Sequence, residues 1–457
     1  MKNKQFDRNF ITQGSLNKVI LSISVPLMLN NLVRTLYNLT DGLFVAQISS
    51  EDFAATAFVW PLNFLFISVG MGIGIGATAL IAQQLGGNHY QTAKHYADNT
   101  IVLSLILGFF AALIGYFATP SLIYWMGARG GFYDKSVIYL QINFIGLFFD
   151  FVYFGYQAIL NAQGQTKSIT VISVISSLTN VVLDPLFIFD NVLGIPGLGM
   201  GIAGAAYATV ISKIVLYVLA IRIVHKQSDI QVSVRKVKVD RQIIANISKV
   251  ALPSAMGYGG SALGFTVLNG LIASYGTNTL AAYSMVNRIT DLLNQPQLGI
   301  GAALTSIIGQ TIGAGNYERA NDIFKRAVQL ILGLSVVSSL IVLIGRYQIL
   351  SIFIKGGADP ELWTQALEYL YFSAFIIFFM GLFSALNGFF QGTGQTKYAM
   401  YMSVGRLWAL RLPIIWFLGN FTKLGSMGIW LAMLLSNMLV VVYGFYIYRT
   451  HDWRALK

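Results

Sequence analysis

Cysteine is absent from the 457 residues, so disulfide stapling, thiolate catalysis and Cys-ligated metals are excluded. Histidine is scarce. The four present, His89, His95, His225 and His451, lie in or beside polar stretches rather than in a cluster, which argues against a haem or zinc centre. Charge is sparse too: Asp, Glu, Lys and Arg make up 11% of the chain against 55% hydrophobic residues, with a mean hydropathy of +0.64. A soluble fold of this length is not that apolar. No Gly-x-x-x-x-Gly-Lys-Ser/Thr loop occurs, so ATP does not act directly on this chain. The run Gly70-Met71-Gly72-Ile73-Gly74-Ile75-Gly76 lies within an apolar stretch with no strand before it, and is read as close helix packing, not as a dinucleotide loop. The sequon Asn38-Leu39-Thr40 falls at a membrane-embedded position that glycosylation does not reach. No nucleophile constellation or His/Glu/Asp cluster supports an enzyme.

What is present is a series of long uncharged runs, such as 101–118, 331–344 and 372–390. These approach or reach the roughly 20 apolar residues that cross about 30 Å of hydrocarbon. Hydropathy with glycine and proline punctuation predicts twelve spans, at 15–48, 53–85, 95–118, 133–162, 167–190, 198–225, 241–275, 279–312, 319–345, 361–391, 396–420 and 424–449. The formal charge of +12 is spread over the connections rather than gathered in one patch, so it reports topology and not nucleic-acid binding. Arg222, Lys226, Arg235, Lys236, Lys238 and Arg241 crowd the middle connection. Lys2, Lys4, Arg8, Arg319, Lys325, Arg326, Arg449, Arg454 and Lys457 fall in connections of the same parity. The alternate connections hold only Arg129, Lys135, Arg346, Lys355 and Lys423. Both termini are therefore expected in the cytoplasm. The opening stretch to Lys18 is polar and basic and runs into the first span without a small-residue cleavage site, so no removed signal peptide is expected.

The two halves repeat. Ile81-Ala82-Gln83-Gln84-Leu85-Gly86-Gly87-Asn88-His89-Tyr90 matches Ile308-Gly309-Gln310-Thr311-Ile312-Gly313-Ala314-Gly315-Asn316-Tyr317 at an offset of 310 − 83 = 227, which Pro26 and Pro253 share. Gly164-Gln165-Thr166-Lys167 recurs as Gly394-Gln395-Thr396-Lys397, and Met200-Gly201-Ile202 as Met427-Gly428-Ile429. Six spans per copy is an even number, so both copies enter the bilayer from the same side as parallel repeats, which rock about a central site. The expected organisation is an N-terminal lobe over 1–225, a cytoplasmic connection over 226–240 and a C-terminal lobe over 241–457.

Ionisable groups inside spans cost roughly 2.5–3.5 kcal/mol each on insertion scales and call for a partner or a purpose. Asp184 has the richest surroundings. Asn180 lies one turn before it, and Pro185 cannot donate to the Val181 carbonyl, so a carboxylate, an amide and a freed carbonyl suit a hard cation or a proton. The alternative is a helix partnership that only neutralises a buried acid. Asp41 stands one turn beyond Tyr37 and Asn38, and a count along the spans puts Asp41 and Asp184 at the same depth, about 10 Å below the outer surface. Tyr139 reaches that level and Thr209 lies somewhat deeper; as ordinary interhelical bonders these residues need no function. Asp150, among Phe148, Phe149, Phe151, Tyr153, Phe154 and Tyr156, reads as an anionic point in an aromatic wall that attracts a lipophilic cation, or as one paired acid on a lipid-facing helix. Asp291 and Arg288, three apart, read as an internal ion pair. Arg34, Arg406 and Arg411 also lie within spans, and either compensate buried acids or contact an anionic substrate.

At this point the chain resembles the multidrug and toxic compound extrusion (MATE) transporters, within the superfamily that also holds flippases for lipid-linked oligosaccharides. The resemblance covers essentially the whole chain. It rests on Pro26 with Leu36-Tyr37-Asn38-Leu39-Thr40-Asp41, on Ala82-Gln83-Gln84-Leu85-Gly86, on Ala162-Gln163-Gly164, on Asn180-Val181-Val182-Leu183-Asp184-Pro185 and on Gly201-Ile202-Ala203-Gly204-Ala205-Ala206. It implies an all-α polytopic membrane protein of about twelve helices in two parallel six-helix repeats, a V-shaped two-lobed antiporter. Such a protein exports lipophilic, cationic drugs across the cytoplasmic membrane against inward Na+ or H+. The matching positions for the cation are Asp41, Asn180, Asp184 and Thr209, with Tyr139 opening a similar Tyr-Leu-x-Ile element; for Na+ the ligands are Asp41, Asn180 and Asp184. Asp150, Tyr37 and Arg34 are the substrate candidates. Arg34 departs from the pattern, standing where similar members carry glutamine, and places a fixed cation two turns from Asp41. The expected partners are small-molecule substrates and the lipid bilayer, with a monomer as the functional unit, no nucleic acid, and no cofactor besides the coupling ion. A flippase for lipid-linked sugars is the alternative, to which Arg34, Arg406 and Arg411 would offer a diphosphate site.

Overall fold

The structure, a computed structural model, describes residues 8–192, 194–233, 238–353 and 359–453. The topology cations Lys2, Lys4, Arg235, Lys236, Lys355, Arg454 and Lys457 lie outside the described residues. With no water in a bilayer core, every backbone N–H and C=O must be satisfied within its own segment, and this chain responds with helices almost throughout. In order they are α1 (Arg8–Gln13), α2 (Leu16–Ile48), α3 (Ser50–Gly86), α4 (Tyr90–Trp125), α5 (Gly130–Ala162), α6 (Thr166–Ile188) and α7 (Gly201–Gln227). Then follow α8 (Arg241–Ala273), α9 (Thr277–Gly313), α10 (Tyr317–Phe353), α11 (Pro360–Gly392), α12 (Thr396–Val404), a π-helical stretch (Gly405–Arg411), α13 (Leu412–Phe421) and α14 (Ser426–Thr450). A two-residue hairpin pairs Asn191–Val192 with Ile195–Pro196.

Counting α12 through α13 as one run, twelve stretches are of membrane length among the described residues. Nine helices there meet both the length and the apolarity of a membrane span. The remaining runs are α8 and α9, which are richer in small and amide side chains, and the 396–421 run, which the π stretch divides. The outward faces are apolar. Phe109, Phe110, Ile114 and Phe117 of α4 are all more than half exposed, and only lipid is a good solvent for such a row.

The repeat is visible in the helices. α2 and α8 each have 33 residues, α3 and α9 each 37, and α5 and α11 each 33. The connections repeat too. Gly164 and Gly394 adopt φ of 73° and 76°, a left-handed conformation that only glycine enters at little cost, and each donates its N–H at 2.9 Å to the carbonyl three residues before it.

The chain divides into two compact units. One gathers Leu29–Ala255 around a core that includes Ile81, Ile101, Phe144, Phe151 and Ile159, all at most 1% exposed. The other gathers Asn9–Met28 and Met256–Lys457 and has two clusters, one around Phe324 and Phe389, one around Trp430 and Leu370. The described part of the middle connection is strapped to the first unit. Ser233 N–H donates to Asp98 Oδ1 at 2.9 Å, Asp240 N–H to Asn99 Oδ1 at 3.0 Å, and Asp229 N–H to Gln163 Oε1 at 2.9 Å.

Candidate functional site

The site grows out of the junction between α6 and α7. After α6 ends at Ile188, the chain turns back so that Leu198 N–H and Met200 N–H bond the carbonyls of Leu186 and Phe187, at 2.8 and 2.9 Å. α7 then begins against that helix end. A Cβ on Gly204 would strike the Phe187 carbonyl, so only glycine permits the approach. Ala205, Ala206 and Ala208, all fully buried, extend the close contact of α7, and Ser176 Oγ donates to the Ser212 carbonyl at 2.7 Å. The consequence is polar. Asn180, Asp184 and Thr209 are 0%, 0% and 7% exposed, and Asn180 Nδ2 donates to Asp184 Oδ1 at 3.0 Å and to Thr209 Oγ1 at 3.4 Å.

α2 completes the cluster. The Asp41 carboxyl comes within hydrogen-bonding reach of the Asp184 carboxyl, and Tyr37, one turn earlier, reaches the Thr209 hydroxyl. Tyr139 of α5 lies within electrostatic range of both acids and beside Asn143. Asn38 is exposed. Asp41 Oδ1, Asn180 Oδ1 and Asp184 Oδ2 are buried without a hydrogen-bond donor among the described residues. Two carboxyls in contact in a low dielectric do not both stay ionised without a cation between them or a shared proton. Three oxygens without a donor, beside the Thr209 hydroxyl, make an oxygen-rich set that suits a small hard cation.

Beside this cluster lies a cavity of about 120 Å³, lined by Arg34, Tyr37, Asp150, Tyr153, Thr209 and Lys213 together with several serines. It is small for a whole drug-sized molecule and large enough for one end of it. Asp150 is not an open anionic point there: Lys213 Nζ lies 2.7 Å from its Oδ2, with the two side chains 16% and 13% exposed. Lys213 is a functional residue that sequence reasoning misses. A lysine in the middle of the apolar span of α7 was the available signal, while its partner, 63 residues earlier on α5, required the fold (213 − 150). Arg34 is exposed and has no ion-pair partner among the described residues.

The other unit departs from expectation at Arg288 and Asp291. Both are exposed and no ion pair within 4.0 Å joins them: a spacing of three on α9 brings side chains within reach without compelling them to meet. Arg406 and Arg411 are each 5% exposed.

The family model MatE matches the chain twice, over residues 26–186 and 253–417, more than half of it, and the two matches start 253 − 26 = 227 residues apart, the offset of the internal repeat. The probable multidrug resistance protein YoeA of Bacillus subtilis is 26% identical over 92% of this chain and 91% of its own length. The multidrug export protein MepA of Staphylococcus saprophyticus is 26% identical over 88% and 87%. Among solved structures, a crystal structure of MATE in complex with MaL6 aligns with a TM-score of 0.90 at 26% identity, covering 97% of this chain and 98% of that one. The flippase alternative gains no support from these matches.

Proposed function

This chain belongs to the MatE family, and on that premise we propose that it is an antiporter that exports lipophilic organic compounds, coupled to inward flow of Na+ or H+. The relatives named for multidrug resistance and export support the exported class. One observation carries the coupling: the Asp41 and Asp184 carboxyls meet in a buried pocket that Asn180 ties to Thr209, with three acceptor oxygens left over. Such a pocket holds one monovalent cation or a proton and releases it when the opposing state is favoured.

Asp41 and Asp184 are the coupling acids, with Asn180 and Thr209 as neutral ligands and Tyr139 at the rim; Na+ or H+ is cargo here, not a resident cofactor. The adjoining cavity receives part of the exported molecule. A cationic drug reaches Asp150 only by displacing Lys213, which ties recognition of a cation to a rearrangement of that pair. Pro26 inside α2, which supplies Asp41, gives that helix a place to bend as the acids change occupancy. The protein acts as a monomer in the cytoplasmic membrane with both termini inside. The test is Asp184→Asn in proteoliposomes under an imposed Na+ or proton gradient. Loss of uphill drug transport with drug binding retained is expected; near-normal uphill transport places the coupling site elsewhere.

A further inference from the structure

The Met256–Lys457 unit contains two buried cations with no ion pair among the described residues. Arg406 and Arg411 are each 95% removed from solvent, and all four salt bridges among the described residues lie in the other unit. Among the described residues their hydrogen bonds go only to neutral groups. Arg406 Nη1 donates to Asn437 Oδ1 at 3.2 Å and to Met380 Sδ at 2.7 Å, and Arg411 Nε to Ser436 Oγ at 3.1 Å. Arg406 Nε is buried with no hydrogen-bond partner among the described residues. The Phe383 ring, 4.5 Å from the Arg406 guanidinium carbon, and the Phe265 ring at 6.0 Å offer quadrupole attraction but no negative charge.

Backbone geometry brings the two arginines together. Residues five apart on an α-helix diverge by about 140°. Arg406 and Arg411 instead lie in the π-helical stretch Gly405–Arg411, whose i→i+5 register sets such residues on one face. The two guanidiniums are near enough to repel one another. A wide turn that aligns two like charges away from water is unfavourable unless something negative joins them.

We infer that Arg406 and Arg411 form an anion site in this unit, which takes one small monovalent anionic group. Unspent N–H donors on two adjacent planar guanidiniums match either a halide or a carboxylate. The group is either free chloride or the carboxylate end of an exported compound. The site is independent of the Asp41–Asp184 cluster, and its test does not depend on coupled transport.

The full-length protein in detergent is unfolded thermally while sulfate is replaced by chloride or bromide at constant ionic strength. Sulfate ordinarily stabilises more than chloride by exclusion from the surface, so a saturable rise of several degrees with halide runs against that background and reports binding. Arg406→Met and Arg411→Met each should abolish the rise. In sulfate alone these variants should melt no lower than the wild type, because each removes an uncompensated buried charge and keeps much of the volume. A bromide soak of crystals should give anomalous scattering at the two guanidiniums. A rhodamine with a free carboxylate, compared with its methyl ester, identifies the source. A rise with the acid but not the ester, lost in both variants, assigns the cargo's own carboxylate; a rise with halide alone assigns a resident ion. Melting that ignores halide and acid alike, or a halide rise that persists in both variants, overturns the site.

Discussion

Replacing Lys213 by Met removes one member of the ion pair at 2.7 Å and leaves Asp150 on α5 with its carboxylate about seven-eighths buried, since that side chain is 13% exposed. The attraction at that separation is about 6 kcal/mol at an effective dielectric constant of about 20. Desolvation of both ions offsets most of it, so the intact pair contributes little net stability. Breaking it is another matter: one uncompensated buried charge costs about 3–5 kcal/mol, and the residual exposure of Asp150 sets the expectation at the lower end, about 3 kcal/mol. Asp150→Asn with Lys213→Met removes both charges, and should return to within about 1 kcal/mol of the wild type. The assay is a double-mutant cycle on unfolding of the purified protein in mixed micelles, followed by circular dichroism. A single Lys213→Met as stable as the wild type, or a double variant no better than the single one, refutes the assignment of Lys213 as the counter-ion of Asp150.

Three further outcomes are expected. Asp41→Asn and Asp184→Asn should each abolish gradient-driven export in proteoliposomes, and the double variant should be no worse than either single one, because the two acids hold one cation between them; additive losses would separate the acids into two sites. Gly204→Val should destabilise the protein by about 1–3 kcal/mol and weaken coupling, since its side chain meets the Phe187 carbonyl and pushes α7, with Thr209, away from Asn180; unfolding midpoint and drug transport are the readouts. Gly164→Ala and Gly394→Ala should cost similar amounts, about 1–2 kcal/mol each, because both glycines hold the same left-handed conformation in the two copies; unequal costs would show that the two connections are not equivalent.

Much of this was legible in the chain before any coordinates. Apolar runs of membrane length and glycine punctuation located twelve helical stretches to within a few residues in most cases, because a span has to be long, uncharged and self-bonded. The helix of 90–125 was the largest miss in extent. Its ends continue past the apolar run through Tyr90-Gln91-Thr92-Ala93-Lys94 and Pro120-Ser121-Leu122-Ile123-Tyr124-Trp125, where hydropathy no longer marks a helix. The repeat was readable because matching motifs stood at nearly constant offsets, 310 − 83 = 227 and 394 − 164 = 230. The pairing of Asp41 with Asp184 was approachable as well, since depth along a helix follows from counting residues.

Other features had no one-dimensional signal. Asp150 and Lys213 lie on different helices, and whether an in-span acid faces a drug or a lysine depends on how α5 and α7 rotate about their axes, which small residues at their contact decide. Arg288 and Asp291 had the spacing of a pair and do not form one, because spacing brings side chains within reach without compelling them to meet. Arg406 and Arg411 share a face only through the widened turn at Gly405–Arg411, and no propensity foretells a π register. Sequence alone therefore determined which segments form the long apolar helices and how they repeat, since those depend on composition and count. The tertiary structure decided which of the buried charges are paired and which are left without a partner, since that depends on contacts between residues far apart in the chain.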